Sequence, residues 1–131
     1  MIVVDSNVIA YLYLPTPHTK RAEALLEREP DWATPLLWRS ELRNVLTGYL
    51  RQRLLSFEQA VSLQREAEDQ FSDLEFEVAS LGVLEFAWQS SCSAYDCEYI
   101  ALAAHLDVPL VTLDRQILRA FPGRAVSLLD A

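Results

Sequence analysis

Lysine is almost missing from this chain: Lys20 is the only one among 131 residues. Glycine occurs three times, cysteine twice and methionine once. So little glycine, with six prolines and 51% hydrophobic residues, excludes a collagen-like or low-complexity chain and fits a helix-rich globular fold. Cys92 and Cys97, spaced Cys-x4-Cys, are too few for a zinc cluster and read as two packed thiols. No apolar run approaches the ~20 residues needed to cross a bilayer. The opening Ile2 to Val4 has no basic stretch ahead of it and meets a charge at Asp5, so no signal peptide is expected and a cytoplasmic location follows. The length suits one domain, residues 1–131, with a real core.

Positive charge is scarce as well, with 11 Lys and Arg against 19 Asp and Glu and a net charge of −8. Phosphate binding is normally driven by a basic surface, so this balance alone points away from nucleic acid. The distribution says more than the sum. Between Glu58 and Glu98 ten acids accompany one base, Arg65, whereas between Arg39 and Arg53 four arginines accompany one acid, Glu41. Such segregation fits either a solvated acidic helix beside a basic one or a functional patch.

The pattern along the chain alternates short apolar strands with helices. Ile2 to Val4 is a continuous apolar run ending in Asp5, which suits a buried parallel strand. A short helix is expected over Val8–Leu12 and another over His18–Glu29, then a strand at Trp32–Thr34. Trp38, Leu42, Val45, Leu46 and Tyr49 make a helical stripe within Leu36–Arg53. Ser56 caps a third long helix with an acidic outer face, and Glu75 to Val78 alternates like a strand. A helix over Val83–Cys92 follows. Ser93-Ala94-Tyr95-Asp96 then resembles a capping box ahead of an apolar helix, Tyr99–Leu106. Val108 to Asp114 is a second apolar strand ending in an aspartate, with a helix over Arg115–Phe121 and a last strand over Ala125–Leu129. The expected fold is α/β, a short central parallel sheet flanked by helices. In such sheets ligands bind at the carboxyl ends of the strands, where Asp5 and Asp114 would share a mouth and Asp96 could join them.

Each acid taken alone has a bland reading. Asp5 and Asp114 each suit the cap of the helix that follows, and Asp96 the acidic half of a capping box. Glu41 lies at the edge of an apolar helical stripe, where a half-buried carboxylate needs a partner: a cation, or Arg39 or Arg43. Four carboxylates gathered at ~4 Å repel by about 1 kcal/mol per pair in water and about 4 at an effective dielectric of 20. A cation offsets that repulsion and also bridges an acidic protein to a phosphate substrate.

Four stretches carry a resemblance: Val3-Val4-Asp5-Ser6-Asn7, Trp38 to Leu46 around Glu41, Ser93 to Ala103 around Asp96, and Leu110-Val111-Thr112-Leu113-Asp114-Arg115. In this order they are similar to the PIN-domain family, and within it to VapC-like toxins of type II toxin–antitoxin systems, over essentially the whole chain. The resemblance implies a PIN-like three-layer sandwich and an endoribonuclease using Mg²⁺ or Mn²⁺ held by Asp5, Glu41, Asp96 and Asp114. It implies water attacking phosphorus in line, leaving a 5′-phosphate and a 3′-hydroxyl. It further implies a homodimer held inactive by a small antitoxin protein. Ser6, Asn7 and Thr112 match supporting positions, with Asn7 and Thr112 as the candidates. Arg39, Arg43, Arg115 and Arg119 are candidates for RNA phosphate contacts, and Glu98 is an added acid beside Asp96.

Two other aspartate chemistries fail on single residues. A haloacid-dehalogenase-like phosphatase needs a second acid two positions after the first, where this chain has Asn7, and a phospho-receiver needs a lysine near its C-terminal end. A PIN-like binding or dimerisation module without catalysis, or a stand-alone nuclease without antitoxin, stays open as an alternative.

Overall fold

A computed structural model describes residues 1–131. Five strands form one sheet: β1 (Ile2–Val4), β2 (Trp32–Pro35), β3 (Glu75–Phe76), β4 (Leu110–Thr112) and β5 (Ala125–Ser127). All pair in parallel, in the order β3-β2-β1-β4-β5. Parallel strands are buried on both faces, and every residue of β1, β2 and β4 is buried, Thr34 and Thr112 included.

The helices are α1 (Ser6–Tyr13), α2 (Thr19–Arg28), α3 (Leu37–Arg51), α4 (Phe57–Phe71), α5 (Ser80–Trp88), α6 (Ala94–Leu106) and α7 (Arg115–Ala120). From β1 to β3 the chain steps one way across the sheet, and from β3 to β5 it steps back the other way. Right-handed crossovers therefore place α1 to α4 on one face and α5 to α7 on the other, giving three layers. α3 and α4 pack on β2, while α6 crosses β1, β2 and β4. Trp32 and Phe71 stack with ring centres 5.4 Å apart, and Trp38 meets Phe71 edge-on, so the α3–α4 layer is anchored by aromatics. No helix is long and apolar enough to cross a membrane.

Several boundaries differ from the sequence-based expectation. α6 starts at Ala94, not Tyr99, because Ser93 Oγ accepts from the Asp96 backbone N–H at 3.0 Å and starts the helix before its apolar stretch begins. Asp96 is thus in the first turn of α6. α5 runs Ser80–Trp88 instead of Val83–Cys92, and β4 is confined to Leu110–Thr112. Ser56 caps α4 as expected, forming a full capping box with Gln59.

Candidate active site

Strand order decides which residues meet. β1 lies beside β4, and the connections leaving these neighbouring strands run to opposite sides, the arrangement at which parallel α/β sheets open a crevice at their carboxyl ends. Asp5 directly follows β1, and its N–H donates to Val111 O of β4 at 3.0 Å. Thr112, fully buried at the end of β4, donates from Oγ1 to Asp5 Oδ2 at 2.8 Å and accepts from the Asp114 N–H at 3.0 Å.

Asp5 and Asp114, alike in sequence, are employed differently. Asp114 is a genuine N-cap: its Oδ1 accepts from Gln116 N and Ile117 N at 2.9 and 3.1 Å. Asp5 occupies the N-cap position of α1 yet makes no capping bond. Its carboxylate is only 7% exposed and has Thr112 and, at 3.5 Å, Ser6 Oγ as donors. Burial pushes its pKa up to about 6, the charges of Glu41 and Asp96 add to the rise, and the Thr112 and Ser6 hydrogen bonds offset part of it. A buried carboxylate without a countercharge is costly unless a cation joins it.

Glu41, on α3, has found neither Arg39 nor Arg43. Tyr99 of α6 donates its hydroxyl to Glu41 Oε1 at 2.5 Å, from a position only 1% exposed. Burial raises the Glu41 pKa, the Tyr99 and Ser6 bonds lower it, and the Asp96 charge raises it again. The Tyr99 phenol is itself pushed well above its ordinary range by burial and then by Glu41 and Asp5. Asp96 is raised by burial first and the Asp114 charge second. Tyr99 was legible only as one apolar residue among many. The available signal was its place three residues after Asp96, one helical turn along the same face, where a polar tip can reach what Asp96 faces.

Asp5 feels the charges of Glu41 and Asp96, Glu41 that of Asp96, and Asp96 that of Asp114, which brings the four acids into one neighbourhood. No three His, Cys, Asp or Glu side chains are gathered tightly enough to hold a metal ion by themselves. The donor chemistry nevertheless fits a hard divalent cation, because Mg²⁺ takes one or two carboxylates and completes its shell with water and phosphate oxygens. Asn7 Oδ1, buried beside Asp5 in sequence and without a hydrogen-bond partner, is a further spare oxygen.

A family model for the PIN domain matches residues 2–121. The chain belongs to the PIN-domain family. It is 30% identical over 125 residues to Ribonuclease VapC3 of Pyrobaculum aerophilum, covering 93% of this chain and 95% of that protein. Among solved structures, FitAcB from Neisseria gonorrhoeae superposes with a TM-score of 0.77 at 18% identity, covering 98% of this chain and 99% of that one. PAE2754 from Pyrobaculum aerophilum gives 0.76 at 22% identity, covering 98% and 83%. A toxin–antitoxin complex from Klebsiella pneumoniae gives 0.72 at 18%, covering both chains fully. Membership carries a nuclease assignment at the level of the family.

Within this PIN domain the arginines separate. Arg39 turns away from the crevice and forks onto Glu75, with Nε and Nη2 both at 2.6 Å, while Nη1 reaches Glu68 at 2.8 Å and Trp38 Nε1 donates to the same Glu75 at 2.7 Å. Arg43 lies on the α4-facing side of α3 with Leu46, Thr47 and Leu50. Arg115 and Arg119 are exposed on α7, just beyond Asp114. Glu98 is half-buried beside Val83 and Leu84 of α5, and burial followed by the Glu41 charge raises its pKa. Cys92 and Cys97 are buried free thiols, as expected of packing residues.

Proposed function

We propose that this PIN-domain protein is a Mg²⁺- or Mn²⁺-dependent endoribonuclease, a single cytoplasmic domain over residues 1–131 acting as the toxin of a VapBC-type toxin–antitoxin pair. One observation carries the reading. Asp5 holds a helix-capping position without capping, buried, beside two further carboxylates, at an energetic cost that a cation would remove.

Asp5, Glu41, Asp96 and Asp114 would hold the cation. When bound, it supplies a Lewis acid for the phosphodiester and acidifies water to a nucleophile. Thr112 orients Asp5 and, through the Asp114 N–H, ties the two strand ends together. Tyr99 and Ser6 hold the Glu41 carboxylate by hydrogen bonds. Arg115 and Arg119, exposed just beyond Asp114, would meet the RNA backbone, whereas Arg39 is committed to Glu75. Attack by water with the 3′-oxygen as leaving group would give products with a 5′-phosphate and a 3′-hydroxyl.

The names of the relatives, a ribonuclease and a toxin–antitoxin complex, support RNA as substrate and a small antitoxin as partner. A homodimer is supported by α5, which is apolar along its length yet buries none of its residues. Leu81, Leu84 and Trp88 line one exposed face of it, with Glu85 the only charge in the helix. Two chains that each carry −8 repel over most of their surface, and an uncharged face is where they can meet.

The test is cleavage of a structured RNA by purified protein with Mn²⁺, followed by sequencing of 5′-monophosphate ends. Asp5→Asn should abolish cutting. Equal cleavage by the variant would overturn the assignment.

A further inference from the structure

Beside Glu41 and Asp96 opens a cleft of about 450 Å³ whose remaining walls are unlike a metal site. Leu37 and Val45 make an apolar side, Ser40 and Asn44 add uncharged hydrogen-bonding groups, and Tyr95 lines it from the first turn of α6. Tyr95 is 64% exposed, a large aromatic left at the rim while its neighbours Cys97, Tyr99 and Ile100 are buried.

No arginine or lysine lines this cleft, and Glu41 and Asp96 are its only charged lining residues. Apart from a cation held at Glu41 and Asp96, nothing in this lining offers a phosphate a positive charge. A group that fits must be neutral, flat enough to lie between apolar side chains and an aromatic ring, and polar at its edge. Those are the properties of a nucleobase, whose faces stack and whose edges hydrogen-bond.

We propose that this cleft is a nucleobase subsite, in which an unpaired base of the RNA strand stacks on Tyr95 and presents its edge to Ser40 and Asn44. The inference rests on the ribonuclease reading and specifies its substrate. A base can enter only if it is splayed out of a helix, so the substrate is a single strand or a loop, and A-form duplex is excluded. It also accounts for how so acidic a chain holds RNA. With few arginines near the site, little affinity comes from counterion release, and stacking must supply much of it. Binding should accordingly depend only weakly on salt.

The experiment uses fluorescein-labelled decaribonucleotides (A10, C10 and U10) and a fully paired hairpin, titrated with the full chain in EDTA so that no cleavage intervenes. Tyr95→Ala should weaken single-strand binding about tenfold, while Tyr95→Phe and Tyr95→Trp stay within about twofold of wild type. Asn44→Ala should change the preference among the three homopolymers. With Mn²⁺, Tyr95→Ala should raise KM more than it lowers kcat. Equal dissociation constants for wild type and Tyr95→Ala, an equal loss in Tyr95→Phe, or no single-strand binding by wild type would each overturn the subsite. Wild type that cleaves RNA with the same KM as Tyr95→Ala removes the subsite alone. Wild type that binds the strands through Tyr95 but never cleaves removes the nuclease and keeps the subsite.

Discussion

Thr112 Oγ1 lies 2.8 Å from Asp5 Oδ2 and is the closest hydrogen-bond donor that this buried carboxylate has. The bond joins the end of β4 to the end of β1, and the same oxygen accepts from the Asp114 N–H. Replacing Thr112 with valine keeps the shape of the side chain and deletes both bonds. A hydrogen bond to a charged group is worth about 1.5–3 kcal/mol, so Thr112→Val should lose about that much stability at pH 8 and less at pH 5. It should also raise the Asp5 pKa above about 6 and weaken the rise in Tm caused by Mn²⁺. Thr112→Ser should recover most of both. An unchanged Mn²⁺ response in Thr112→Val would show that Asp5 needs no such support.

Asp5 makes stability depend on pH in a definite direction. Its carboxyl is raised from 3.8 to about 6 on folding, so the folded state binds the proton more tightly than the unfolded one. This contribution is fully present below pH 3.8 and is lost as pH rises through 6. Across that window the shift corresponds to about 3 kcal/mol. In EDTA, urea denaturation of wild type should therefore show stability falling between about pH 4 and 6 relative to Asp5→Asn, which lacks the titration. Saturating Mn²⁺ should reverse the trend for wild type alone, because the cation competes with the proton. Parallel curves for the two proteins, with and without Mn²⁺, would mean that Asp5 is not a strained ligand.

Arg39 and Arg115 should behave as opposites. Glu75, with its side chain only 7% exposed, depends on the Arg39 fork, whose hydrogen bonds hold its pKa below the usual carboxylate range. That stability is present above the ordinary glutamate pKa and is lost as pH falls through the lowered value. Arg39→Met leaves Glu75 with Trp38 alone and should cost about 3 kcal/mol near neutral pH. Arg115→Ala should leave Tm within about 2 °C and reduce RNA affinity. Chemical denaturation and RNA titration of both variants separate the roles; an unaltered stability in Arg39→Met would return that residue to the RNA-contact candidates.

The α5 face supplies a test of assembly. Trp88 is 90% exposed and Leu84 63%, so neither contributes much to the monomer core. Trp88→Asp combined with Leu84→Asp should convert a dimer to a monomer by light scattering after gel filtration, with the fold retained by circular dichroism. A wild-type monomer at 100-fold the assay concentration would remove the second copy from this face.

Much of the fold was legible in order along the chain. The apolar runs at Ile2–Val4 and within Val108–Asp114 announced buried parallel strands, Ser56 and Ser93 announced helix caps, and Asp5 and Asp114 stood out at the ends of apolar runs, with Glu41 at the edge of a helical stripe and Asp96 in a capping-box pattern. These signals are local: periodicity, capping and burial depend on residues a few positions apart.

What the tertiary structure decided lies between segments. Asp5 and Asp114 have the same local sequence setting, yet only Asp114 caps its helix, because Thr112 on the neighbouring strand claims the Asp5 carboxylate. Arg39 stands two residues from Glu41 but bonds Glu75, while Glu41 takes a hydroxyl from Tyr99, 58 positions away. One sequence can place a charge at the edge of a helix, but the partner that compensates it is set by which strands and helices become neighbours. Sequence by itself thus determined that acids end buried strands. The order β3-β2-β1-β4-β5 determined which of them face one another, because a carboxylate's energy depends on the charges and donors within a few ångströms in space, whatever their distance along the chain.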